Sequence, residues 1–125
     1  MIVVAIVAIL ALIAIPLYTA NMVASVMSEG VAGAGTIRTA LGSYYSQNGT
    51  YAGATLPSGG ASGTLQIGPN DLQGKYFQTT DYSLPAVTGS TYVIRAGPPS
   101  LTTKTTTYYQ INQLGSELGP YYTNQ

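Results

Sequence analysis

The sequence predicts an α+β protein: a long N-terminal helix whose C-terminal half packs on a small antiparallel β-sheet. The chain opens on an uncharged apolar run from Met1 to Tyr18. From Val23 onward apolar residues recur on a helical period. Beyond Lys75 they fall into short alternating runs bounded by Gly and Pro. These features divide the chain into a hydrophobic helix segment, 1–27, and a head, 28–125, that includes the amphipathic second half of the helix.

A stretch of 18 or more apolar residues is the signature of a membrane-spanning helix, because lipid forces every backbone group to be paired internally. A cleaved secretory signal needs a positively charged n-region, and none precedes the apolar residues here, so the helix is expected to be retained. Pro16 removes one helical hydrogen bond and crowds the carbonyl of Leu12, which predicts a kink or local loosening near that residue. Past Pro16 the helix becomes one-sided. Val23, Gly30, Ile37 and Tyr44 recur every seven residues, with Met27, Ala34 and Leu41 between them. These residues are expected to face the sheet, Val23, Met27, Ala34, Ile37, Leu41 and Tyr44 as its packing contacts. The weak point is Glu29 to Gly35, where three glycines each cost about 1 kcal/mol in a helix interior. They permit either close packing or a bend. Asn48-Gly49 ends the helix, since Gly accepts the left-handed conformation of a C-terminal cap. From Met1 to Gln47 the helix would be about 70 Å long.

Gly49 to Gly68 reads as loop, with Leu65-Gln66-Ile67 as a strand or packing contact, and Asp71 to Gly74 as a short turn. Three strands are expected: Lys75 to Leu84, Thr91 to Ala96 and Thr105 to Leu114. In the first, Tyr76, Gln78, Thr80, Tyr82 and Leu84 would share one face, and Phe77, Thr79, Asp81 and Ser83 the other. Short connections at Gly89-Ser90 and Gly97-Pro98-Pro99 predict an antiparallel meander.

Composition excludes several classes of function. Charged residues make up 6% of the 125, four basic and four acidic, against about 25% in ordinary globular chains. No basic stripe exists, so no nucleic-acid contact is expected. Histidine and cysteine are absent, which removes the commonest general base, the commonest metal ligand and any disulfide. Asp71, Asp81, Glu117 and Asn112 lack the alternate spacing of a calcium loop. No catalytic constellation appears, and neither an enzyme nor a cofactor is expected. The tyrosine pairs Tyr44-Tyr45, Tyr108-Tyr109 and Tyr121-Tyr122 fit packing, one ring inward and one outward. So little charge favours self-association.

The segment MIVVAIVAILALIAIP, Met1 to Pro16, resembles the hydrophobic helix of type IV pilins and type II secretion pseudopilins. In that family a mature chain begins FTLIEL and continues into MIVVAI, matched here by Met1 to Ile6, with a proline later in the segment. ALGSYYSQNGTYAG, Ala40 to Gly53, is similar to the family's helix end and the start of its variable loop. The match covers about the first 25 residues and, more loosely, that second segment; the head matches only in plan. A family glycine corresponds to Ala8, and the family's C-terminal disulfide loop is missing, leaving Tyr108, Tyr109 and Gly119 to Tyr122 to hold the C-terminus.

The resemblance implies a pilin-like fold and the major structural subunit of an extracellular, type IV pilus-like surface filament. The family's FTLIEL start, with its N-methylated phenylalanine and a glutamate that pairs with a neighbouring amino terminus, implies either six native residues before Met1 or a true start at Met1 to which the family's processing does not apply. The subunit's partners would be identical subunits in a helical homopolymer, the pilus assembly machinery, and the cytoplasmic (inner) membrane for the unassembled precursor. Met1, Val4, Ala5, Ala8, Ile9, Leu12, Ile13 and Pro16 would form the filament core. Ala5, Ala8, Ala11 and Ala14, at three-residue spacing, would allow close helix approach. A secretion pseudopilin and a membrane-anchored protein that never polymerises are the alternatives.

Overall fold

The computed structural model describes residues 1–58, 60–61, 63–98 and 108–119, with the side chains of Pro16, Thr19 and Ala20 left undescribed. It is an α+β structure. Helix α1 spans Ile2–Asn48 and is continuous in its assignment both across Pro16 and through Gly30, Gly33 and Gly35. It ends where Asn48-Gly49 predicts. Gly49 takes φ 69°, and its N–H donates to the Tyr45 carbonyl at 2.7 Å. The Gly49 bond satisfies one of the four terminal carbonyls that α1 cannot pair internally, and the Asn48 side chain adds a bond to the Tyr44 carbonyl at 3.0 Å.

Among the described residues the sheet has four antiparallel strands in sequential order: β1 Tyr82–Val87, β2 Tyr92–Ala96, β3 Tyr109–Asn112 and β4 Glu117–Leu118. Alternation puts Tyr92, Ile94 and Ala96 of β2 and Tyr109 and Ile111 of β3 into the core, and both strands contact α1. The core pairs them with Met27, Ala34, Ile37 and Leu41 of α1 and Phe77 of the connecting loop. Leu65, Ile67 and Leu72 close it from below, so the Leu65–Ile67 trio is a packing contact and not a strand.

Two expectations need correction. The strand foreseen from Lys75 begins only at Tyr82, after a single 3-10 turn at Thr79–Asp81. Two carboxylates account for the difference. Glu29 takes the N–H groups of Tyr76 and Phe77, and Asp81 takes that of Gln78 at 2.7 Å in a capping box. Backbone donors captured by side chains are lost to a β-ladder. The third strand is shorter than foreseen and turns at Asn112, whose side-chain oxygen accepts the N–H groups of Leu114 and Ser116. The turn leads into β4, which the sequence reading lacked. Positions 105–107 and 120–122 lie outside the described residues.

Candidate self-assembly surface

Every described side chain from Met1 to Met22 is exposed, and Val23 is the first that is buried. The helix therefore projects about 33 Å beyond the head, at 1.5 Å per residue. Its exposed surface is apolar on all sides: Ile2, Val3, Val4, Ile6, Val7, Ile9, Leu10, Leu12, Ile13, Ile15 and Leu17 are all large and all uncovered. The first charge along the chain is Glu29. Met1, Val4, Ala5, Ala8, Ile9, Leu12 and Ile13 thus sit together on one projecting rod. Pro16 lies within the same helix, its side chain undescribed.

Among the described residues no helix is long and apolar enough to cross a membrane.

Beyond Met22 the same helix changes character. Val23, Val26, Met27, Ala34, Ile37 and Leu41 are buried, and Tyr44 packs at the margin of the core while its hydroxyl donates to the Ala52 carbonyl at 3.2 Å. Rod and head are thus one continuous element, so the rod's direction is set by how α1 is held in the head.

Besides the core contacts, the segment from Glu29 to Gly33 is gripped by the loop and by β1. The Glu29 carboxylate accepts the N–H of Phe77 at 2.9 Å and that of Tyr76 at 3.1 Å. The Phe77 ring lies over Gly30, where a Cβ would stand 2.6 Å from the ring carbon Cζ. The Tyr82 phenol lies over Gly33, so closely that a Cβ there would meet its hydroxyl. Gly30 and Gly33 are therefore close-approach glycines, which decides between the two readings of the glycine-rich segment. Glu29 and Phe77 went unrecognised as partners in the sequence because 48 positions separate them.

Burial, then the Glu29 and Asp81 charges, pushes the Tyr82 phenol well above its ordinary range. Tyr109 is buried and donates to Glu117 at 2.9 Å; burial first and this bond second push its pKa up to about 12. Both phenols are held protonated. Among the described residues no group of three or more acidic, His or Cys side chains lies together to hold a metal.

No family model, curated protein or solved structure matches this chain. The functional reading rests on the geometry and on the resemblance carried by the N-terminal residues.

Proposed function

We propose that this chain is the repeating structural subunit of a helical surface filament of the type IV pilin kind. The observation that carries the reading is the rod from Met1 to Met22, exposed at every described side chain and apolar on all sides through Leu17, standing clear of a neutral head on the same helix. Exposed to water, each large side chain on the rod would cost about 1.5–3 kcal/mol. A rod apolar on one side could be satisfied by a single partner. This one is apolar on every side and needs to be surrounded, by lipid before assembly and by other rods afterwards.

Identical copies suit the second environment. Lipid is as apolar as Leu, so transfer from membrane to bundle gains little hydrophobic energy, and association depends on close packing. Ala5, Ala8, Ala11 and Ala14 permit such packing. Because rod and head share one helix, bundling the rods in parallel places the heads in an outer shell. Four basic and four acidic residues per chain leave that shell without net repulsion.

Thiol labelling tests this reading, since the chain has no cysteine of its own. In sedimented filaments Ile9→Cys is expected to resist a water-soluble maleimide that reacts readily with Ser90→Cys on the exposed turn between β1 and β2. Equal labelling at both positions would refute a rod-filled core.

A further inference from the structure

The head presents two charged flanks on opposite sides of α1. Glu29 and Arg38 are nine residues apart, two and a half helical turns, and so face opposite ways. On the Glu29 side lies the loop 68–77, fastened to α1 through Tyr76 and Phe77 and carrying the exposed Asp71 and Lys75. On the Arg38 side lies the β3–β4 hairpin, whose Gly115 stands against the Arg38 guanidinium, and which carries the exposed Glu117. Among the described residues each flank holds one exposed cation and one exposed anion. Of the chain's eight charges, these are the four that the described side chains leave exposed.

The hairpin also bears two apolar side chains that stand exposed. Leu114 at its tip is 80% exposed and Leu118 on β4 is 54% exposed. Loop 68–77 offers a surface for them, with Gln73 exposed and Tyr76 half-buried beneath the Lys75 ammonium, 5.1 Å from its ring centroid.

We infer that the β3–β4 hairpin flank of one head docks on the 68–77 loop of a second copy, pairing Arg38 with Asp71 and Glu117 with Lys75. Both pairs are of opposite sign, and the reverse assignment would set like charges together, so the charges fix the orientation. A contact between two different faces of the same chain is heterologous. It does not close on itself as a two-fold dimer does, and it generates a ring or an open helix. This inference rests on the filament reading and adds the head-to-head contact that sets the position of one subunit on the next.

Charge reversal in the full-length chain tests it. Arg38→Asp alone and Asp71→Arg alone should each lower the sedimenting filament fraction several-fold, with the head still folded by circular dichroism. The double variant, which restores opposite signs in every contact, should recover it. Independently, Leu114→Cys and Gln73→Cys in one chain should give a disulfide ladder of multimers on mild oxidation, and neither change alone should do so. Single reversals that assemble like the wild type, a double variant no better than the singles, or the absence of a ladder would each overturn the contact. Wild-type chains that form no filaments would overturn the filament reading, and this inference with it.

Discussion

The carboxylate of Glu29, in the middle of α1, accepts the backbone N–H of Phe77 at 2.9 Å. One ionised side chain thus sets where the head's connecting loop meets the helix. It also places the Phe77 ring over Gly30. Because α1 continues from this point into the rod, the bond is part of what aims the rod relative to the head.

Removing that acceptor should loosen the head. Glu29→Ala leaves the Tyr76 and Phe77 donors without their partner, a loss of about 1–3 kcal/mol for a partly buried group. Glu29→Gln keeps an oxygen but not the charge and should cost less. Urea unfolding followed by tyrosine fluorescence separates the two variants.

The helix glycines should divide into two classes. Gly30→Ala drives a methyl into the Phe77 ring, and Gly33→Ala drives one into the Tyr82 phenol; each is expected to destabilise by about 1–3 kcal/mol, the usual cost of overpacking. Gly35 and Gly42 have nothing within 4 Å of a Cβ. Gly35→Ala and Gly42→Ala should therefore stabilise the chain by about 0.5–1 kcal/mol. Thermal melts of the four variants in the same detergent test the division. A uniform response would contradict it.

Alkali should weaken the head before it alters the rod. The Tyr109 phenol is raised from an ordinary value near 10 to about 12, and Tyr82 is displaced in the same direction. A group raised in the folded state contributes stability that is fully present below its unfolded value. That stability is lost as pH rises through the folded one. The melting temperature should therefore hold steady to about pH 10 and fall from there toward pH 12. In Tyr109→Phe the fall should be shallower, and an unchanged alkaline slope would contradict the assignment.

The core-facing side of α1 was legible in the sequence because it obeys a local period: Val23, Met27, Ala34, Ile37 and Leu41 need only 3.6 residues per turn to be aligned. The same holds for Tyr92, Ile94 and Ala96 with their period of two. The glycines at 30 and 33 were ambiguous because their reason is the Phe77 and Tyr82 rings, far along the chain. Residues 75–81 misled for a related cause. Tyr76, Gln78 and Thr80 alternate like a strand, but Glu29 and Asp81 capture the backbone donors that a ladder would use. Strand β4 carries no signal at all, being two exposed residues long. The Pro85 interruption in β1 falls where the register shifts between Ser83 and Ala86, a place where an irregular strand tolerates proline. The rod was visible from composition alone. That it stands wholly clear of the head became visible only in the structure.

The most direct test of the central claim is electron microscopy of the full chain after detergent removal, wild type beside Ile9→Asp. An aspartate at this position would be costly to bury among apolar rods, since no charged side chain lies between Met1 and Ser28. The wild type should form uniform filaments. Ile9→Asp should remain dispersed, with the near-ultraviolet spectrum of a folded head. Filaments of equal yield and width from Ile9→Asp, or a wild type that stays as single chains in vesicles, would contradict assembly through the rod.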